Sequence, residues 1–433
     1  MKLYKELKNK FQIIFNTRKR GIEFLFFNIT GNTFTFLLNL TLPFFLTSDS
    51  YGYFALFFSL FNLGAAIFTF GLDSTIIKFT VEKEYGKSIL AISFISWLIL
   101  TLILIPVLGF ISYYITKFLY FKISFYATLV IIIASALIAL QRVVLAYYIG
   151  KESNKRYGIL FITNKVIQFL FIFIIALTFK NDSFLISLPY LFLLQSIVVL
   201  IYILITEKDN FFTIIPAKFD IIKIIKFSLP LSLNTIGGVG FSYGFNVLIS
   251  PFLTLGQLGI LNIFTQLSSV ASMAINALNN GHISRFYKGF SENPKMAIFN
   301  YFKYILLNVI PIFLLVFAMG VFYKFLSYKE IDDYSLLALL IYCIGILFYS
   351  FKSIGFNILI INGKTLKISI ITVVASIINI ALAIFVTKLF GFIGCIVSLA
   401  FGYFLQVVVF NYESFKFFSN QRHVGLNSHV NNK

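Results

Sequence analysis

Twelve runs of 22 to 27 predominantly apolar residues, joined by short polar connections, constrain this chain more than any other feature. At 1.5 Å per residue a helix of that length crosses the roughly 30 Å of hydrocarbon in a bilayer. The runs fall near 21–46, 52–77, 88–112, 123–148, 158–179, 184–205, 227–250, 256–280, 298–322, 335–361, 366–387 and 391–412. Lipid offers the backbone no hydrogen-bond partner, and the runs are too long for barrel strands, so all twelve are expected to be helices. With 59% hydrophobic and 12% charged residues, a soluble globule is excluded, because its surface alone demands about twice that charge.

The net charge of +19 would point to nucleic acid in a soluble protein, but here the basic residues sit in short loops, where they orient the spans. No nucleic-acid partner is expected. Of the 35 Lys and Arg residues, 26 fall on the side of the N-terminus, and six, Lys117, Lys122, Lys180, Lys324, Lys329 and Lys388, on the other. Both termini are therefore expected in the cytoplasm. The bias also supports twelve spans, since one span more or fewer would invert every later loop. Residues 1–20 place Leu3, Leu7, Phe11, Ile14 and Phe15 at helical spacing opposite lysines, which reads as a basic amphipathic helix on an anionic membrane surface and not as a cleavable signal.

The chain also repeats itself. Gly52 precedes Lys78-Phe79 as Gly259 precedes Arg285-Phe286, and one offset of 207 residues superposes both pairs, lays Gly31 on Gly238, and carries the start of the first run onto that of the seventh. The expected organisation is a basic segment at 1–20, an N-lobe of six spans at 21–205, a polar cytoplasmic linker at 206–226, a C-lobe of six spans at 227–412, and a cytoplasmic tail at 413–433. Each lobe begins on the same side, so the repeats are parallel. The fold class expected is an all-α polytopic membrane protein, about 12 transmembrane helices in two parallel six-helix lobes around a central cavity.

The chemistry has to be sought inside the spans. There is no phosphate-binding loop, no HExxH and no pair of catalytic carboxylates on a loop, so the chain is not expected to be an enzyme, and no cofactor or metal is indicated. Cys343 and Cys395 lie in apolar runs without metal-ligand spacing. None of the 16 acidic residues falls near the middle of a span. Three cations do fall within spans, namely Arg142, Lys165 and Lys352, the last flanked by Ser350, Ser353 and Asn357. Two readings stand: they snorkel toward the nearer interface, or they line a cavity for an anionic cargo such as a diphosphate, which Arg grips bidentately and Lys by point charge. Asn28, Asn32, Thr35 and Asn39 share one helical face, as do Asn262, Gln266, Ser269, Asn276 and Asn280. These stripes read either as hydrogen bonds between helices or as a cavity wall for sugar hydroxyls. The glycines at 237, 238, 240 and 244 read as close packing or as a bending point.

Ser48-Asp49-Ser50-Tyr51-Gly52-Tyr53-Phe54-Ala55 with Gly71-Leu72-Asp73-Ser74-Thr75-Ile76-Ile77-Lys78-Phe79 resembles the first-hairpin signature of Wzx-type polysaccharide flippases of the multidrug/oligosaccharidyl-lipid/polysaccharide exporter superfamily. Lys226-Phe227-Ser228-Leu229-Pro230-Leu231, Leu258-Gly259-Ile260 and Ser284-Arg285-Phe286-Tyr287 are similar to that family's seventh and eighth helices. Many members carry an Asp-Arg pair where this chain has Phe245-Asn246-Val247, so an ionic role there does not transfer. The resemblance implies a MATE-like fold, and flipping of an undecaprenyl-diphosphate-linked oligosaccharide across the bacterial plasma membrane by alternating access. The partners implied are the polyprenyl-diphosphate-linked glycan, membrane lipids, and the polymerase and chain-length proteins of the glycan pathway. The other readings are a multidrug or small-molecule antiporter of the same superfamily and a membrane glycosyltransferase or polymerase.

Overall fold

The computed structural model describes residues 23, 26–39, 41–81, 88–118, 124–151, 153–178, 182–213, 221–265, 275, 286, 289–290, 292–326, 333–362 and 364–430. These residues are almost wholly helical and include no strand. In order, the helices are α1 (26–39 and 41–45), α2 (Ser48–Thr69), α3 (Leu72–Val81), α4 (Ile89–Phe118), α5 (Phe125–Gly150), α6 (Asn154–Thr178), α7 (Asp182–Phe211) and α8 (Ile221–Val239). They continue with α9 (Phe245–Ile249), α10 (Leu255–Thr265), α11 (Pro294–Leu326), α12 (Asp333–Ile361) and α13 (Thr365–Val430). Among the described residues, seven helices are long and apolar enough to cross a membrane. The amphipathic segment at 1–20 lies outside the described residues, and so does most of the eighth run beyond Thr265.

Local backbone chemistry shows where a hydropathic run is not one straight helix. The second run ends α2 at Thr69 and restarts as α3 at Leu72, because Phe70 (φ 48°) and Gly71 (φ 69°) both adopt left-handed conformations. Glycine takes this conformation without steric cost and a bulky aromatic does not. A Cβ on Gly71 would also lie 2.5 Å from the Ser228 carbonyl oxygen. The Gly-Leu of the hairpin signature is thus a helix break. The seventh run passes through a π-helical turn at Gly240–Gly244 and closes with a short 3₁₀ turn at Ser250–Phe252. Runs eleven and twelve form the two arms of α13, which reverses at Gly391 (φ 60°, ψ −141°). Pro106 and Pro189 lie inside α4 and α7 without ending them.

The chain divides into two compact units. Unit 1 contains Met1–Leu46 and Gly64–Ser232, and unit 2 contains Thr47–Leu63 and Leu233–Lys433. The helices α2 and α8 are each shared between the units. In unit 1, α5 is the central element and packs on α3, α4, α6 and α7. Its buried face is built of small and β-branched residues, Ala134, Ser135, Ala136, Ala139, Val143 and Val144. That composition lets helices approach closely, which matters in lipid, where apolar surface alone does not drive helices together. Trp97 of α4 donates its indole N–H to the Ala136 carbonyl of α5 at 3.0 Å. By contrast α4 leaves Leu102, Ile103 and Phe110 about three-fifths exposed (65%, 58% and 64%), as befits a lipid-facing surface.

In α1 and α6 the contacts advance in the same sense along both helices: Phe27 with Gly158, Gly31 with Phe161, Phe34 with Phe169, and Phe45 with Phe173. The two helices therefore run parallel, as the counting of basic loops requires of the first and fifth spans.

In unit 2, α12 runs parallel to the second arm of α13 through Gly345 with Ala400, Phe348 with Phe404, and Gly355 with Phe410. It runs antiparallel to α11, as Gly320 with Leu339 and Asn357 with Tyr301 show. The first half of α2 belongs to this unit, where Gly52 meets the start of α10. A Cβ at Gly52 would sit 1.9 Å from the Leu255 carbonyl oxygen, so no larger residue fits. The glycine of the Tyr-Gly signature exists for this backbone contact. Gly52→Ala is expected to destabilise the protein by about 1–3 kcal/mol, the usual cost of overpacking. Unfolding of the purified protein in mixed micelles measures it, and an unchanged midpoint would show that the contact is absent.

Candidate functional site

Arg142 and Lys165 lie on neighbouring helices of unit 1. The Gln141 amide of α5 donates to the Leu160 carbonyl of α6 at 3.3 Å, which sets the level at which the helices meet. Arg142 follows Gln141, Lys165 lies a turn and a half beyond Leu160, and the two cations are near enough for each to act on the other's charge. Both side chains are half-buried. A Cβ on Gly31 of α1 would lie 2.5 Å from the Phe161 ring and 3.6 Å from Lys165 Cγ, so the glycine lets α1 close on the ring and on the lysine stem. Lys165 has a ring, Phe161, 6.0 Å from its ammonium, and among the described residues it has neither hydrogen bond nor ion pair.

The first-run stripe divides on inspection. Asn28 accepts a hydrogen bond from the Tyr157 hydroxyl of α6 at 3.0 Å, which ties α1 to α6 just below the lysine. Asn32 is half-buried one turn on, beside Gly31. Asn39 is buried and donates to its own helix at the Thr35 carbonyl, 2.7 Å away. Asn164, next to Lys165 on α6, is spent on packing, since it accepts from Gln195 of α7 at 2.8 Å.

The remaining residues lie in unit 2 and are engaged more closely by the protein. Lys352 of α12 donates to Gln406 Oε1 of α13 at 2.8 Å, with its ammonium 5.0 Å from the Tyr349 ring and 4.9 Å from the Phe410 ring. Aromatic faces and an amide oxygen stabilise a cation that no carboxylate accompanies among the described residues. Asn357 donates to the Tyr301 hydroxyl at 3.1 Å, and Asn262 to the Tyr51 hydroxyl at 2.9 Å, both buried. These amides bond helix to helix within the unit. Gln266 lies outside the described residues. Under the 207-residue offset Arg142 falls on Tyr349, one turn from Lys352, so each repeat carries a cation at nearly the same depth of its fourth span.

One buried ionisable group stands out only in the structure. Hydropathy puts Glu207 beyond the sixth span, in the linker, but α7 continues to Phe211 and holds Glu207 1% exposed. It accepts from the hydroxyl of Tyr148 (2.5 Å), from Arg156 (3.3 Å) and from Asn210 (2.6 Å). The spacing of Glu207, Lys208, Asp209 and Asn210 resembles any polar loop, so no local pattern distinguishes the buried acid. Cys343 and Cys395 are buried free thiols, and among the described residues no cluster of His, Cys, Asp or Glu has the makings of a metal site.

Residues 20–283 match the family model described as "Polysaccharide biosynthesis protein". An uncharacterized membrane protein of Methanocaldococcus jannaschii is 28% identical over 272 residues, 56% of this chain and 51% of the relative, so the chain spans about half the length of the curated relative it matches. Among solved structures, the inward-facing conformation of a multidrug resistance MATE family transporter of the MOP superfamily is similar at a TM-score of 0.69 and 16% identity, over 90% of this chain and 96% of that one. An outward-facing MATE transporter structure of the MOP superfamily is similar at 0.58 and 18% identity, over 94% and 96%. A MATE protein in a straight conformation scores 0.59 at 15% identity, over 94% and 96%. At such identities the likeness is one of fold.

The amide contacts of unit 2 are open to measurement. Tyr51→Phe and Asn262→Ala, made singly and together, are expected to show a coupling of about 0.6 kcal/mol, and at most about 1.7, as for hydrogen bonds between helices in bilayers. Strictly additive losses in a double-mutant cycle would show that this pair does not bond.

Proposed function

The chain belongs to the polysaccharide biosynthesis protein family, a multi-pass membrane protein with the MATE fold, and from that premise we propose that it is a flippase for an anionic, lipid-linked oligosaccharide. The cargo is an undecaprenyl-diphosphate-linked repeat unit, moved from the cytoplasmic to the outer leaflet of a bacterial plasma membrane by alternating access. The observation that carries this reading is the Arg142 and Lys165 pair: two cations within spans on the neighbouring helices α5 and α6, which Gln141 and Leu160 bond together, with Lys165 free of hydrogen bond or ion pair among the described residues. Holding like charges together inside a membrane protein is costly, and intramembrane ionisable groups mark substrate and ion pathways. An anion between them relieves the cost. A diphosphate suits the pair, because guanidinium offers a planar fork to its oxygens and ammonium a compact charge.

Asn28 and Asn32 lie on α1 beside this pair, Asn28 already bonded to Tyr157, and both are assigned to the sugar hydroxyls nearest the diphosphate. Lys352, Asn357, Asn262 and Asn39 belong to the proposed substrate path as well, but each is bonded within its own unit in this state. Glycan engagement by these four requires those bonds to exchange. A cationic-drug antiporter is the weaker alternative, since it needs a carboxylate free to hold the drug, and buried Glu207 already accepts three hydrogen bonds.

The assignment is tested with purified protein in vesicles carrying an undecaprenyl-diphosphate-linked oligosaccharide. An inside-negative potential favours outward movement of each negative charge by about 2.3 kcal/mol per 100 mV, so flipping should accelerate when the potential is imposed. Arg142→Glu and Lys165→Glu should each abolish flipping while the protein still inserts. Flipping at the normal rate by both variants would overturn the assignment.

A further inference from the structure

Glu207 takes no part in the anion site, yet it holds both helices that carry it. From near the end of α7, its Oε1 accepts from the Tyr148 hydroxyl of α5 and from Arg156 of α6, while Oε2 accepts from Asn210 of its own helix. Arg142 lies six residues before Tyr148 on α5, and Lys165 nine residues after Arg156 on α6, or about 9 and 13 Å along the two axes. The repulsion between Arg142 and Lys165 therefore acts on the same two helices that Glu207 draws together, about two turns away. Away from bulk water that repulsion is weakly screened, so it presses α5 and α6 apart more than a surface pair would. α5 packs less extensively on α6 than on α3, α4 or α7. The lateral hydrogen bond from Gln141 to Leu160 is a single neutral contact, whereas Glu207 supplies charge-assisted bonds, about twice as strong.

We infer that Glu207 is a positioning residue for the cation pair: from α7 it clamps α5 through Tyr148 and α6 through Arg156, and so holds Arg142 and Lys165 at a spacing they would not keep alone. The acid does not touch the cargo. Arg156, with a side chain 63% exposed, can form its half of the clamp from the rim, while Tyr148 reaches it from inside. The proposal rests on reading Arg142 and Lys165 as the anion site, but its central measurement does not use a substrate.

The full chain is placed in lipid nanodiscs, with Cys343 and Cys395 replaced by Ser and spin labels on cysteines introduced at the exposed positions Ile149 of α5 and Ile159 of α6. Glu207→Ala should broaden and lengthen the distance distribution between the labels. Adding Arg142→Ala to Glu207→Ala should return it toward that of the parent, because the repulsion the clamp opposes is gone. A purely architectural role for Glu207 would not be rescued by removing a charge two turns away. Where Glu207→Ala is not recovered as folded protein, Tyr148→Phe, alone and with Arg142→Ala, makes the same comparison. Unchanged distances in the single variant, or a double variant as broad as the single, would overturn the inference. In a separate arm, inorganic diphosphate should bind the parent and bind Glu207→Ala about tenfold more weakly, the scale on which outer partners act on a ligand site. A parent that binds no diphosphate while the distances behave as expected would sink the anion site and leave the clamp standing.

Discussion

Water cannot satisfy polar groups inside a bilayer, and this structure is arranged around that restriction. Among the described residues many amides and hydroxyls in the spans are bonded either back to their own helix, as Asn39 is to Thr35, or to a neighbouring helix, as Asn28 is to Tyr157 and Asn164 to Gln195. These bonds are individually weak, about half a kilocalorie to two, because the unfolded chain in lipid also finds partners. They gain their effect from register. A helix that slid by one residue would lose several at once, together with contacts such as Gly52 against Leu255 that admit no side chain.

Against that background the cations separate into two kinds. Lys352 is absorbed by its unit, with an amide oxygen and two aromatic faces in place of a counter-ion. Arg142 and Lys165 are instead set near one another, an arrangement that packing alone has no reason to produce. The two kinds occupy nearly corresponding positions of the repeat, as Arg142 falls one turn from Lys352 under the 207-residue offset. The repeats also differ in what joins the fourth span to the sixth, a lysine and an amide in one and a tyrosine and a carboxylate in the other.

The hairpin signature illustrates how a motif acquires meaning. From sequence it is a pair of signatures at the two ends of one span, repeated at an offset of 207 residues. In the structure Gly52 is a point of backbone contact with α10, and Gly71, with Phe70, turns the chain between α2 and α3. Neither glycine approaches the cations. Their task is to fix the helices on which the polar residues stand, which is why the signature identifies the family without identifying the chemistry.

The amino-acid sequence by itself determined the class of the fold, since runs long enough to span lipid have no stable form but helix, and it determined the parallel sense of α1 and α6 through the distribution of basic loops. It also singled out Arg142, Lys165 and Lys352, because an ionisable residue within an apolar run is visible without coordinates. What it left open depends on contacts between residues far apart in the chain. Whether an asparagine stripe bonds a neighbouring helix or remains available turns on what stands opposite, such as Tyr157, Tyr301 or Tyr51, and no periodicity records that. The same holds for Glu207, which reads as a loop residue until α7 is seen to continue past the apolar run and deliver it between α5 and α6. Hydropathy measures how a segment meets lipid, and only tertiary structure decides which polar groups meet each other.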